Sequence, residues 1–209
     1  MSEDTAINTS HSKLPVMESF YTIQGEGKYT GVASYFIRLG GCDVGCVWCD
    51  VKESWDANTH PLTTVEDMVT EASRFPGRVV VITGGEPLMY DLSYLTKCFK
   101  EAGFRTHIET SGAYPMSGDW DWVCFSPKKF KAPVEGFALT AHELKTVVFN
   151  KSDFDFAEKY RQVVSSTCEL FLQPEWSKQN ELLPTIIAYV KANPNWKISL
   201  QTHKYMDIP

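Results

Sequence analysis

The stretch Arg78-Val-Val-Val-Ile-Thr83, running straight into Gly84-Gly-Glu-Pro87, decides the fold. Four apolar residues in succession, without alternation, suit a parallel strand covered on both faces. Paired glycines then let the chain turn sharply and expose backbone N–H and C=O groups, and Pro87 stiffens the exit. The carboxylate of Glu86 stands in that turn, where it could receive an ammonium group. Upstream, Thr63 to Arg74 reads as a helix: Thr63-x-x-Glu66 is a capping-box pattern, and Val65, Met68, Val69 and Ala72 form an apolar stripe. Downstream, Asp91 caps a second helix, Leu92 to Ala102, which Gly103 closes.

Strand and helix keep alternating. Ser34–Leu39 precedes this unit, and Thr106–Glu109, Val123–Ser126, Leu144–Phe149, Glu169–Leu172 and Ile198–Leu200 follow it, with helices at Phe154–Gln162 and Leu182–Ala192. Such alternation implies right-handed βαβ crossovers and a mainly parallel sheet. A closed eightfold barrel typically takes about 250 residues. With 209 residues, the expected fold is α/β: an incomplete, open parallel (β/α) barrel of about six strands. The organisation expected is a polar, flexible tail over residues 1–14 and one domain over 15–209. Special residues stand where strands end: Gly84-Gly-Glu-Pro87, Glu109-Thr-Ser-Gly112, Ser126-Pro-Lys128, Gln173-Pro174 and Gln201-Thr-His-Lys204. In barrel-like α/β folds that rim is where ligands bind.

The same rim carries Cys42-Asp-Val-Gly-Cys46-Val-Trp-Cys49, directly after the Ser34–Leu39 strand and Gly40-Gly41. Three thiolates on one tight loop can grip three corners of an iron–sulfur cube, leaving one iron open to a non-protein ligand. A zinc site is the alternative, but it needs a fourth ligand, and His60 is poorly spaced for one. Three unrelated buried thiols are the other. Cys98, Cys124 and Cys168 are scattered in apolar surroundings and read as core fillers. No disulfide framework is visible, which suggests a reducing compartment, the cytoplasm. A net charge of −6 and a pI near 5.4 speak against a nucleic-acid footprint, and no apolar run approaches the ~20 residues of a membrane span. Ahead of the first rim strand, Val16–Ile23 reads as a strand ending in Gln24-Gly-Glu-Gly27, a ligand-approach turn or a plain hairpin. Arg38 is either a surface charge or a fork for a carboxylate. His107 reads as a satisfied core or rim histidine, and Trp120 and Trp122 as packing.

The cysteine spacing, with Trp48 before Cys49, and Gly84-Gly-Glu-Pro87 after the next strand together resemble the radical S-adenosylmethionine (SAM) superfamily. Phe20-Tyr-Thr-Ile-Gln-Gly-Glu-Gly27, Phe36-Ile-Arg-Leu39, Ile108-Glu-Thr-Ser-Gly112, Ser126-Pro-Lys128 and Gln201-Thr-His-Lys-Tyr205 narrow the resemblance to the 7-carboxy-7-deazaguanine synthase family, over about Met17 to the end of the chain. The resemblance implies a lyase of queuosine-type 7-deazapurine biosynthesis. One electron enters a [4Fe-4S] cluster and cleaves SAM to methionine and a 5′-deoxyadenosyl radical. That radical takes a hydrogen from C6 of 6-carboxy-5,6,7,8-tetrahydropterin. The ring contracts, ammonia leaves, 7-carboxy-7-deazaguanine forms and SAM is regenerated.

By the same resemblance Cys42, Cys46 and Cys49 ligate the cluster. Trp48, Gly85, Glu86, Ser126, Lys128 and Gln173 hold SAM, with Lys128 otherwise a solvated charge. Ile23, Gln24, Gly25, Glu26, Arg38, Thr83, His203 and Pro209 meet the pterin, Pro209 through its terminal carboxylate. Glu109 touches either the surroundings of the cluster or the SAM ribose. An electron donor such as a flavodoxin or ferredoxin and a homodimer are the partners the resemblance implies, with no nucleic acid and no membrane. One departure concerns Mg²⁺: the family commonly has a hydroxyl residue after Cys-Asp that helps hold the ion, and here Asp50 is followed by Val51. Either Asp50 or water substitutes, or dependence on Mg²⁺ is weak, and weak dependence is the expectation. Two other readings stand beside the main one. A small radical SAM activase would make a glycyl radical on a protein partner, which the Gln24 and Gln201 blocks argue against. A non-catalytic iron–sulfur electron carrier has no need of an open iron.

Overall fold

The structure, a computed structural model, describes residues 13–209. One nine-stranded sheet runs through it in the order β3-β1-β2-β4-β5-β6-β7-β8-β9. Its strands are β1 (Lys13–Ile23), β2 (Ala33–Leu39), β3 (Leu62–Thr64), β4 (Val79–Gly84), β5 (Arg105–Thr110), β6 (Trp122–Phe125), β7 (Glu143–Val148), β8 (Glu169–Pro174) and β9 (Trp196–Ile198). From β2 and β4 onward every neighbouring pair is parallel, so seven strands form the open barrel wall rather than about six. β1 and β3 extend it antiparallel at one edge. β1 reverses directly into β2, whereas the chain leaves β2 and reaches β3, on the far side of β1, only through residues 40–61, which carry the cysteine loop.

Helices α1 (Val65–Ala72), α2 (Ser93–Glu101), α3 (Ser152–Arg161) and α4 (Gln179–Ala192) pack outside, and α5 (Thr202–Met206) follows the last strand. The main core lies between helices and wall. Ile37, Val80, Ile82, Ile108, Leu144 and Leu172 project outward against Met68, Leu95, Phe99, Ala157 and Ile186. The unbroken apolar run of β4 divides as expected: Val80 and Ile82 face the helices, while Val79 and Val81 face inward and pack on Phe36. Farther round the wall the inner face turns polar, and β7 presents Leu144 and Val148 to the outer core while burying Glu143 and Lys145.

Several local readings shift. The capping pair of α1 is Thr64 with Asp67, one residue later than Thr63 with Glu66. Asp67 N donates to Thr64 Oγ1 at 3.1 Å, and that hydroxyl donates to Asp67 Oδ2 at 2.5 Å. Thr63 is instead drawn into β3, opposite Leu14. The expected tail overlaps β1, because Leu14 is 3% exposed and enters the core; the rest of that tail, residues 1–12, lies outside the described residues. Gly103 closes α2 with φ of +81°. His107 is buried, but its Nε2 finds no partner. It packs on the rings of Tyr29 and Trp122, and burial pushes its pKa down to about 4. No helix among the described residues is long and apolar enough to cross a membrane.

Candidate active site

At the rim, the loop after β2 and the loop after β4 are built as one piece. Gly85 N donates to Leu39 O at 3.0 Å and Glu86 N to Gly41 O at 2.8 Å. A Cβ on Gly85 would stand 2.2 Å from Gly41 O and 2.8 Å from Cys42 Cβ, so glycine at this position permits the close approach. Gly41 N donates to Ser54 O and Cys42 N to Trp55 O, and Tyr90 Oη donates to Gly40 O at 2.8 Å. The cysteine loop is therefore held from both sides before any cofactor arrives.

Its three thiols fit the iron–sulfur reading. Cys42, Cys46 and Cys49 are free, they cluster with Val44, Trp48 and Ala113, and they lie close enough for neighbouring thiols to add to the raised proton affinity of Cys42 and Cys46. Burial is the larger cause, pushing the Cys46 thiol up to about 11 with Lys128 opposing. Binding iron must therefore displace protons from the loop. Cys168 is buried in the outer core as expected, whereas Cys124 is buried beside a charge and not in apolar surroundings, its Sγ donating to Glu143 Oε1 at 3.5 Å. No three His, Cys, Asp or Glu side chains among the described residues converge on a single-ion site. A donor set of three thiolates suits a cluster with one open iron better than a four-ligand zinc.

A cavity of about 260 Å³ opens beside the loop. Of the expected site residues it is lined by Cys46, Trp48, Cys49, Asp50, Gly85, Glu86, Ser126, Lys128 and Gln173, and by Ile23, Gln24, Gly25, Glu26, Arg38, Thr83, His203 and Pro209. Cys42 stands behind its wall, against Gly85. One side of the cavity is thus the cysteine loop and the other is the Gln24-Gly-Glu26 turn.

On the cysteine side, Glu86 does something other than wait for an ammonium. It is 1% exposed and its carboxylate meets four donors of the chain itself. Leu88 N (3.1 Å) and Thr110 Oγ1 (2.5 Å) donate to Oε1, and Ser111 N (2.8 Å) and the Ser111 hydroxyl donate to Oε2. A carboxylate has about four acceptor positions, so Glu86 is a clasp joining the loops after β4 and β5. Lys128 is not a freely solvated charge. Its Nζ donates to Ser126 O and Oγ at 2.6 Å and lies 5.8 Å from the Trp48 ring, and burial lowers its pKa. Gln173 is buried and accepts from Ser199 Oγ at 2.7 Å.

The far side is a polar network. Gln24 Nε2 donates to Glu109 Oε1 at 3.0 Å, and Glu26 N donates to Gln24 Oε1 at 3.0 Å. Glu26 accepts from Lys145 at 2.5 Å and from Gln201 Nε2 at 2.9 Å. Burial alone would raise the Glu26 carboxyl, but Lys145 and Gln201 reverse this and hold it at about 2. The stabilisation from that pairing is present above the ordinary carboxylate range and is lost as pH falls towards 2. Glu109 belongs to this network, not to the surroundings of the cysteine loop, since its other oxygen accepts from Lys145 at 3.3 Å. α5 docks on the same turn: Thr202 N and Oγ1 both donate to Gly25 O at 3.0 Å. A Cβ on Gly25 would stand 2.2 Å from His203 Nδ1, so this glycine lets the histidine reach the cavity. Burial lowers the His203 pKa and leaves the ring neutral at neutral pH.

Arg38 donates through Nε to Glu18 Oε1 at 2.6 Å, on the rung where β1 and β2 place the two residues opposite one another. Asp50 accepts from Lys204 at 2.9 Å, tying the cysteine loop to α5. Trp176 and Lys145 are among the cavity residues that the sequence reading does not single out. Trp176 stacks edge-on with Tyr205 at 5.4 Å. Lys145, 3% exposed, sits at the centre of the polar network. Its signal was the pair Glu143-x-Lys145 within an otherwise apolar strand, two charges two residues apart and so on one face.

An open parallel barrel with a three-thiol rim loop defines a radical SAM protein, and residues 36–130 match the model of the radical SAM superfamily. The chain is 56% identical over 196 residues to a 7-carboxy-7-deazaguanine synthase of Flavobacterium psychrophilum, covering 94% of this chain and 93% of that one. It is 46% identical to the Synechocystis protein of the same name, covering 93% of each. A crystal structure of QueE from Escherichia coli superposes with a TM-score of 0.81 at 32% identity, covering 90% of this chain and 93% of that chain. The chain belongs to the 7-carboxy-7-deazaguanine synthase family. Neither a glycyl-radical activase nor an electron carrier is favoured by these relatives.

Proposed function

We propose that the chain converts 6-carboxy-5,6,7,8-tetrahydropterin to 7-carboxy-7-deazaguanine and ammonia, as a radical SAM carbon–nitrogen lyase of 7-deazapurine biosynthesis. The observation that carries this reading is the two-sided cavity, with three thiols on one wall and a carboxylate–amide network on the other. When bound, the [4Fe-4S] cluster and SAM supply one-electron cleavage chemistry and hydrogen abstraction from a carbon. The net conversion is redox-neutral, which suits SAM as a cofactor that is restored.

The chain's own groups orient and enclose. Cys42, Cys46 and Cys49 hold the cluster. Because its carboxylate is saturated, Glu86 supports SAM through the backbone of the Gly84-Gly85-Glu86 turn, whose carbonyls suit an ammonium. Trp48, Ser126, Lys128 and Gln173 border the rest of SAM. Gln24 and Glu26 accept from the amino and amide edge of the pterin, and neutral His203 adds a donor and an acceptor. With Nε engaged by Glu18, Arg38 offers its terminal NH₂ groups to the substrate carboxylate. Ile23, Gly25, Thr83 and Pro209 shape the remaining wall. Anaerobic incubation with reductant, SAM and the carboxypterin should generate the deazaguanine chromophore with one ammonia per turnover. 5′-Deoxyadenosine without deazaguanine would overturn the assignment.

We further propose one catalytic domain over residues 15–209, acting as a cytoplasmic homodimer fed by a flavodoxin or ferredoxin. Dependence on Mg²⁺ is weak. The Val51 side chain brings no oxygen to the cavity, and Asp50 is already paired with Lys204. Chelation should cost little activity, and Val51→Ser should make turnover respond more strongly to added Mg²⁺. A large Mg²⁺ stimulation of the unaltered protein would refute this.

A further inference from the structure

Lys145 is a buried cation to which the reaction described above gives no task. It lines the cavity floor from β7, 3% exposed. Its ammonium meets Glu26 from the β1–β2 turn at 2.5 Å and Glu109 from β5 at 3.3 Å. The other charged or titratable groups facing it are Glu143 on its own strand, Cys124 from β6 and Lys128 from the loop beyond it, while His203 from α5 faces Glu26. Each carboxylate already has one further neutral partner, Gln201 for Glu26 and Gln24 for Glu109.

The charges set what this arrangement can do. Two part-buried carboxylates that share one ammonium partner repel one another, and like charges sharing a site favour returning a proton to one of them unless a cation offsets the repulsion. One ammonium between them offsets that repulsion and leaves carboxylate oxygens facing the cavity. Each carboxylate offers about four acceptor positions, of which two are occupied here. The floor therefore presents spare acceptors to a ligand rich in N–H donors, such as the aminopyrimidinone edge of a pterin.

We propose that Lys145 is a positioning residue for substrate: it clamps Glu26 and Glu109 as an ionised pair, and so keeps Glu26 an acceptor for the N–H groups of the pterin edge. The inference rests on the pterin reading above. Burial opposes the charge on Lys145, but the surrounding carboxylates raise its pKa well above the ordinary value, so the clamp stays charged throughout the working range. Without it, one carboxylate of the pair takes up a proton and turns from acceptor to donor. That mismatches the ligand edge in a pH-dependent way.

The test is calorimetric binding of the carboxytetrahydropterin to anaerobically reconstituted, SAM-loaded protein, from mildly acidic to mildly alkaline pH. The unaltered protein should bind with nearly constant affinity across that range. Lys145→Met should weaken binding about 10–100-fold at neutral pH, the size of a lost hydrogen bond to a charged group. Its affinity should fall further as pH falls, because the pair without its ammonium takes up a proton more readily. Lys145→Met with Glu109→Gln removes one charge of each sign, and should recover part of the affinity and a flat pH profile. That pair also serves should Lys145→Met alone fail to fold. Affinity in Lys145→Met equal to the unaltered protein, or a pH-independent loss that Glu109→Gln does not relieve, overturns the proposal. An unaltered protein that binds SAM but not the pterin overturns the pterin reading instead, and this inference with it.

Discussion

Glu86→Ala is expected to cost about 3–5 kcal/mol of folding stability, among the largest effects a single substitution produces. The carboxylate is 1% exposed and takes donors from Leu88, Thr110 and Ser111. Truncation leaves two backbone N–H groups, those of Leu88 and Ser111, buried without an acceptor, at about 1–3 kcal/mol each. Glu86→Gln should lose less, because one amide oxygen still accepts while the NH₂ faces donors. Because Glu86 N also bonds Gly41 O, the cysteine loop should loosen with it, and iron retention should fall in parallel. Denaturant unfolding of the variants measures the first effect and iron analysis the second. A loss below about 1 kcal/mol would mean that the clasp is not a structural element, since that is the scale of an ordinary surface change.

Cys46→Ala should abolish turnover, by more than about 10⁴-fold, because no other group among the described residues stands ready to replace the missing ligand. The loss should appear first as reduced iron and sulfide after anaerobic reconstitution, and then as absent 5′-deoxyadenosine. Cys124→Ala is the control. That thiol is buried in the wall beside Glu143, and burial keeps it protonated. Its removal should affect stability and leave iron content intact. Full cluster loading in Cys46→Ala, or iron loss in Cys124→Ala, would transfer the cluster to other ligands and remove the basis for the radical reading.

Much of this site was legible along the chain because its parts are short and local. The cysteine spacing and the glycine pair after β4 each state their chemistry within a few residues, whereas the turn Gln24-Gly-Glu-Gly27 reads locally as a plain hairpin as readily as a ligand site. The strand–helix alternation was legible too, and the seven-stranded parallel wall follows it. The cap of α1 falls one residue later because pairing with β1 holds the chain extended through Thr64, so the helix starts at Val65, a long-range event that no local pattern contains. Glu86 was assigned by its position in the turn, and its four donors come from residues up to 25 positions away.

What the residues alone determined is the kind of chemistry: three thiols on one loop, polar turns at the ends of strands, and a parallel wall to carry them. What the tertiary structure alone decided is which of those groups are still free to meet a ligand. Glu86 and Asp50 look alike in sequence, as carboxylates beside functional turns. Folding saturates one with internal donors and hands the other to Lys204. Lys145 looks like an ordinary strand lysine until β1, β5 and β7 bring two carboxylates to it. A side chain's available charge and hydrogen-bonding capacity are sums over its neighbours in space, and the chain's order does not list those neighbours.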